Sequence, residues 1–491
     1  MQRDVGQLTR QTFDLLIVGG GIYGLTIACD AAGRGLSVAL IERDDFGSGS
    51  SFNHLRTIHG GLRYLQKLDI GRARESILER RALARIAPRA VRPMPFVLPL
   101  ASSLTRGPLA MRAGFLLDRL VGRDRNVGIA PSLHLPAGRV VSPREALDQF
   151  PELAGQAISG AAIWYDYVTT EADRLTFAWG VSAAQKGAVL ANYVLALDLI
   201  SEGSRVVGAR AQDRNQDRNG EASLEIRARV TVNATGVFMR HLGKPAHAPQ
   251  SPILKAMNLV TSRPAGPAAL GGRSASGRNL FLVPWRGRAL FGTWESPNAV
   301  PYEDYAHARP SDVEGFIDEI NQAFPSVNLR LGDVTLVHRG LVAGVAASDG
   351  NIRLEGHDRI EDLAPAGLDG LFTVVGAKYT TARAVAERVV DHVLVKLGRQ
   401  GAQCRTALDP LPDVFDRLEG DDALVRAVRD EMAMTLRDAV IRRTPLGALG
   451  CPSEALLLHA AEVVGRELGW AEPRKGVEIQ AVRSFYDIGS G

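Results

Sequence analysis

Short apolar runs at the front of the chain give way to helical stripes and then to a strand-rich middle. Leu15-Leu16-Ile17-Val18 and Ser37-Val38-Ala39-Leu40-Ile41 are too short for helices and rich in β-formers, so both are expected as buried strands. The segment between them carries Gly24, Ala28 and Ala31 on one helical face. Residues 72–86 repeat Leu78, Ala82 and Ile86 at helical spacing; Glu79 interrupts that face, and the charges there are expected to be solvated. Four prolines in 88–99 exclude a long helix. Residues 109–121 form an amphipathic stripe flanked by arginines, a helix suited to packing on the body or to resting on a membrane surface.

From residue 188 the pattern turns to strands over 188–200, 205–213 and 224–236, the first two joined by the turn Glu202-Gly203-Ser204 as a meander. The third is expected to rejoin the main sheet and to end at Asn233-Ala234-Thr235-Gly236. Residues 252–363 read as an antiparallel sheet, with strands at 280–284 and 289–293. A further buried strand, 370–375, runs into Gly376 and then into a helix over 382–396. Residues 1–12 read as a loose leader, 398–412 as a linker, and 413–491 as purely helical.

Chemistry enters at the first strand–helix junction. Gly19, Gly21 and Gly24 stand in G-x-G-x-x-G spacing, and Glu42 closes the second strand. The first glycine permits the tight turn, the second lets backbone approach a pyrophosphate, and the third lets the helix lie close to the strand. The helix start offers free N–H groups to phosphate, and the carboxylate suits a ribose hydroxyl. The Gly376 junction supplies a second such helix start.

Composition narrows this only a little. At 491 residues the chain needs two or three domains, and 45% hydrophobic with 23% charged residues is ordinary for a globular protein. A net charge of +4 without a Lys/Arg block argues against a nucleic-acid partner and leaves a small anionic substrate open. Cys29, Cys404 and Cys451 form no CxxC, so neither a disulfide framework nor a metal site is expected, and a cytoplasmic, reducing compartment is. No run reaches the roughly 18–20 apolar residues of a membrane span.

Ile58-His59-Gly60-Gly61-Leu62-Arg63-Tyr64-Leu65 resembles the FAD-dependent glycerol-3-phosphate dehydrogenase family, within the D-amino-acid-oxidase-like flavoprotein fold. Residues 31–36, 233–236, the Lys378/Thr380/Thr381 loop and the tail 431–447 carry the same resemblance. It implies an α/β protein: a discontinuous Rossmann-like FAD domain (13–100, 150–250, 364–398), an antiparallel substrate domain (101–149, 251–363) and a C-terminal all-α domain (405–491). It also implies oxidation of the secondary alcohol of glycerol 3-phosphate or a related polyol phosphate, with FAD taking the hydride and a quinone or oxygen taking the electrons.

By the resemblance, FAD is held by Gly19, Gly21, Gly24, Glu42, Arg43, Ser50, Ser51, Val194, Ala234, Gly236, Gly376, Lys378, Tyr379, Thr380 and Thr381. Arg63, Tyr64, Asn258 and Arg339 are the expected substrate contacts, and His59, Arg63 and Lys378 the catalytic set. An arginine suits a phosphomonoester, and a histidine suits removal of the hydroxyl proton. A homodimer and a peripheral contact with the inner face of the membrane are further expectations.

Two positions depart from the family. Asn258 stands where the family has a histidine, and Val342 where it has a phosphate-binding arginine. Arg339 and His338 are nearby, but neighbours on a strand face opposite ways, so Arg339 does not replace that charge automatically. A different donor, such as a hydroxy acid, an amine or a larger glycerol-phosphate-bearing molecule, is therefore a second reading. A flavin-bound protein without turnover is a third. A disulfide reductase or an NADPH-coupled monooxygenase is disfavoured, because there is no CxxC and no second G-x-G-x-x-G.

Overall fold

The computed structural model describes residues 1–65, 68–103, 107–153, 158–215, 223–242, 251–303, 308–347, 351–376, 378–415 and 419–489. Five parallel strands form the heart of one sheet, in the order Leu371–Val375, Ser223–Asn233, Phe13–Val18, Val38–Ile41, Val189–Ala191. Arg359–Asp362 adds an antiparallel edge. Phe13–Val18 is buried along its whole length, as a parallel strand covered on both faces must be. Helices Ile22–Gly33, Ala172–Gln185 and Ala382–Leu397 cover one face, and the meander Val194–Glu202 and Arg205–Asp213 packs its Val206, Ala209 and Ala211 under the other. The expected strand over 188–200 is broken at Asn192 and Tyr193, where Tyr193 takes φ 55°.

A second sheet runs Ile352–Leu354, Val334–Ala346, Ile253–Pro264, Arg288–Glu295, Asn279–Trp285, Ala269–Arg273, Val91–Leu100, Gly160–Thr169, Thr57–Ile58. Thr57–Ile58, Val91–Leu100 and Gly160–Thr169, expected in the nucleotide domain, pair into this second sheet. The proline-rich segment is one of these strands. Pro93, Pro95 and Pro99 are alternate residues, so the N–H groups they lack all belong on one side. On that side only Phe96 and Val97 pair with a neighbour, while the other side pairs continuously with Gly160–Thr169.

Two polar stretches are better ordered than their composition suggests. The leader forms a 3-10 turn, Val5–Thr9, with Leu8 buried and Arg3 paired to Asp213 at 2.6 Å. In helix Ile70–Ile86 the charges are not all solvated: Glu79 is buried against Arg383 (2.6 Å), and Arg80 is buried against Asp166. The tail packs helices Gly420–Arg429, Glu454–Leu468 and Glu472–Tyr486 with a π-helical segment, Asp438–Arg443, around a core that also takes in Phe52. No helix of the described residues is long and apolar enough to cross a membrane.

Candidate active site and cofactor cradle

The glycine loop is built by contact. Gly19 holds φ 109°, and a Cβ there would lie 2.6 Å from the Ala234 carbonyl oxygen, so the first strand turns directly over the end of the strand bearing Ala234. A Cβ on Gly24 would lie 1.9 Å from the Gly19 carbonyl oxygen, so only glycine lets helix Ile22–Gly33 start where it does. Gly21 is its N-cap, and Ser51 Oγ accepts from the Ile22 N–H at 2.8 Å, bringing Ser51 to the helix start. Glu42 accepts from the Gly20 N–H (2.6 Å) and the Asp44 N–H (2.9 Å), and burial pushes its pKa up. A carboxylate has about four lone-pair sites, so two remain for ribose hydroxyls. The Val194 N–H donates to the Glu42 carbonyl at 2.8 Å. Arg43 lies 3.9 Å over the Phe238 ring, just beyond Gly236, which sits at φ 63°.

The second helix start is joined to the first by Tyr23. Its ring lies against Gly376, and its hydroxyl bonds the Lys378 carbonyl (2.7 Å), the Lys378 N–H (3.1 Å) and Asp358 (2.8 Å). Thr380 and Thr381 are buried at the head of Ala382–Leu397, with Thr381 also reaching Asp358. Tyr379 stacks on His54 at 4.5 Å, and burial pushes His54 down to about 3, helped by Arg56 and His59. The buried Nε2 of His54 and Nε of Arg56 have no hydrogen-bond partner. Unspent donors beside two facing helix starts fit a flavin dinucleotide. Ala377 lies outside the described residues.

One face of the second sheet looks at this cradle. Asn258 pairs with His338, Ala256 with Gly340 and Leu254 with Val342, which puts Asn258, His338 and Val342 on the same side. Ser50 closes on that side, donating to the Leu341 carbonyl at 2.7 Å and packing on Gly340. Asn258 is buried, accepting from Thr293 (3.1 Å) and donating to the Asn53 carbonyl (3.3 Å). His338 faces Arg56 Nη2 at 3.3 Å and is held neutral, its pKa well below the usual value through burial and Arg56. Arg339 faces the other way and donates to the Phe485 carbonyl, which corrects its expected role as a substrate contact. The alternation of strand side chains decides this.

His59 stands half-exposed over the same face, its Nδ1 3.5 Å from Asp166 Oδ2, beside an aromatic floor of Phe96, Trp164 and Phe281. Burial alone would raise the Asp166 carboxyl, but Arg80, His59 and the Gly60 N–H (2.7 Å) outweigh it and hold it below the usual range. The short helix Leu62–Leu65 follows at once. It exposes Arg63, whose charge is felt by Glu295, and it lays Tyr64 under Lys378, 4.2 Å from Nζ to the ring. His59, Arg63, Tyr64 and Lys378 are thus brought to one end of the cradle. Asp166, Tyr23 and His54 were missed. The signal for Asp166 was an acid within the apolar strand Gly160–Thr169; Tyr23 gave none.

The family model described as FAD dependent oxidoreductase matches residues 14–392. Glycerol-3-phosphate dehydrogenase of Synechocystis sp. is 30% identical over 84% of this chain and 75% of its own. The mitochondrial glycerol-3-phosphate dehydrogenase of Mesocricetus auratus is 30% identical over 99% and 76%. Among solved structures, glycerol-3-phosphate dehydrogenase from Bacillus halodurans complexed with FAD superposes with a TM-score of 0.73, at 22% identity over 98% of this chain and 96% of that one. Strand order, glycine loop and matches agree: the chain belongs to the FAD-dependent oxidoreductase family, as an enzyme homologous to the glycerol-3-phosphate dehydrogenases, with FAD as its cofactor.

Proposed function

We propose that this enzyme is a dehydrogenase that oxidises the secondary alcohol of glycerol 3-phosphate or a related polyol phosphate. FAD, when bound, supplies the hydride acceptor. The observation that carries the reading is the pair formed by half-exposed His59 and buried Asp166. With Nδ1 turned to Asp166, the other ring nitrogen is left to take the hydroxyl proton, and the fixed carboxylate stabilises the imidazolium that results. Arg63 and Lys378 are the cations on hand for a phosphate, and Arg63 alone has a fork that matches two phosphate oxygens.

A second reading, the same chemistry on a different donor, is favoured by neutral Val342, Asn258 and His338 on the sheet face. Anaerobic mixing with glycerol 3-phosphate decides between them: bleaching of the oxidised-flavin absorbance supports the first. Bleaching only by a hydroxy acid, an amine or a larger glycerol-phosphate-bearing molecule supports the second, and no bleaching by any donor sinks both.

A quinone or oxygen would complete turnover. Helix Pro108–Val121 leaves Leu109, Leu116 and Leu120 72%, 65% and 71% exposed beside exposed Arg112 and Arg119, which supports a peripheral contact with anionic lipid. Sedimentation with anionic vesicles that survives Leu116→Asp with Arg119→Glu would end that idea.

A further inference from the structure

Residues 42–48 are tied twice to the glycine loop. The Gly20 N–H donates to Glu42 Oε2 at 2.6 Å, and the Gly47 N–H donates to the Gly20 carbonyl at 2.9 Å. Between these ties lies Asp45, whose side chain has no exposure at all. Every partner that meets its carboxylate is outside the loop. Arg443 grips both oxygens, Nη2 to Oδ1 at 2.7 Å and Nη1 to Oδ2 at 2.9 Å. Arg442 Nε donates to Oδ2 at 2.7 Å, and Asn192 Nδ2 to Oδ1 at 3.2 Å.

The second acid of the cluster, Asp438, pairs with Arg442 and accepts from the Tyr193 hydroxyl at 2.8 Å, while the Tyr193 N–H donates to the Asp44 carbonyl at 3.0 Å. Two buried arginines meet two buried aspartates, so the cluster is balanced. Consecutive arginines on an α-helix point about 100° apart. Here both reach one carboxylate from a π-helical segment, Asp438–Arg443, in which the Thr444 N–H donates five residues back to Ala439 at 3.0 Å. Such widened turns recur at functional positions.

We propose that the C-terminal helical domain is a working part of the FAD site, with Arg442 and Arg443 as positioning residues for the loop that receives the ADP half. A buried ion network adds little stability over apolar packing of the same volume; in this protein its part is to fix the place of Asp45 and the loop that carries it. That geometry matters here, because Glu42, held by the Gly20 N–H, meets the nucleotide only if residues 42–48 keep their place to within about half an ångström. Coupling of this kind is reciprocal: FAD must tighten the docking of the arginine segment by the factor through which that segment tightens FAD. The proposal stands on FAD binding and is independent of the substrate.

The test uses the full chain stripped of flavin and titrated with FAD by fluorescence. Asp45→Asn, nearly isosteric, is expected to weaken FAD at least tenfold. Arg443→Lys, which keeps the charge and loses the fork, is expected to weaken it less. In the wild type, exchange of backbone amides at 431–444 is expected to slow at least tenfold when FAD is added. Folded variants with unchanged FAD affinity, or amides at 431–444 indifferent to FAD, overturn the proposal and leave the network as a mere staple between domains. Should both variants fail to fold, the wild-type exchange measurement decides alone.

Discussion

The two halves of the site are made differently. On the nucleotide side the recognition is backbone: Gly19 against Ala234, Gly24 against Gly19, and Glu42 held by two amides. On the substrate side it is side-chain identity on one sheet face, where Asn258 and His338 are spent on internal hydrogen bonds and Val342 carries no charge. A site made of backbone geometry tolerates few changes without losing its fold. A site made of side chains on a finished sheet is respecified by one residue while the sheet stands. The cofactor is thereby settled by the same contacts that hold the domain together, and the donor is not.

The largest expected effect falls on the nucleotide side. Gly24→Val would drive a Cβ into the Gly19 carbonyl, and backbone cannot rotate away as a side chain does. Overpacking of flexible groups already costs roughly 1–3 kcal/mol, so the variant should purify colourless and fail to take up FAD. A yellow Gly24→Val protein would show that helix Ile22–Gly33 does not start the cradle. Next comes His59→Gln, which should leave FAD content and absorbance unchanged and slow flavin reduction by about 10²–10⁴. An unchanged reduction rate would place the base elsewhere and return His59 to a structural role under the glycines.

Legibility follows the same division. The glycine loop, Glu42 and the second helix start could be read because strand, turn and helix each leave a local pattern. Sheet membership could not: nothing in residues 91–100 announces that prolines on alternate positions make a strand with one satisfied side. Asp166 reaches His59 only because Gly160–Thr169 crosses beneath it, a contact across about a hundred residues of chain. Strand alternation did forewarn that Arg339 would not share a face with Val342, and Arg339 is indeed turned to Phe485. The arginine pair at 442–443 gave no hint of its buried partner, since buried charge reads as surface charge until its counter-ion is located.

Val342→Arg sharpens the comparison on the substrate side. It would set a guanidinium on the face that carries Asn258 and His338, at a half-buried position. A charge-assisted contact is worth roughly 1.5–3 kcal/mol, so a phosphate-bearing donor should bind at least about tenfold more tightly. Stopped-flow reduction against donor concentration reads this directly. Unchanged affinity for glycerol 3-phosphate would mean that its phosphate does not lie at this position, and would favour the second donor reading.

The smallest effect concerns stability, and it separates the two halves by pH. His54 sits on the cofactor side and His338 on the sheet face, and burial with Arg56 nearby keeps both neutral, His54 down to about 3 and His338 well below the usual histidine range. Their folded values lie below the unfolded one, so the unfolded chain binds protons that the fold refuses. The stability they contribute is complete above pH 6.5 and is lost as pH falls below it. One unit below, at pH 5.5, His54 should have cost about 1.4 kcal/mol, and His338 acts in the same direction. Asp45 and Asp166 are held below 3.8 by their arginines, so their contribution is lost only at more acid pH and does not blur this window. Urea midpoints should therefore be lower at pH 5.5 than at pH 7.5 in the wild type, and the drop should be smaller in His54→Gln, which cannot titrate. Parallel losses in the two proteins would show that His54 takes up its proton in place, and that the buried space between cofactor loop and substrate sheet is wetter than its packing implies.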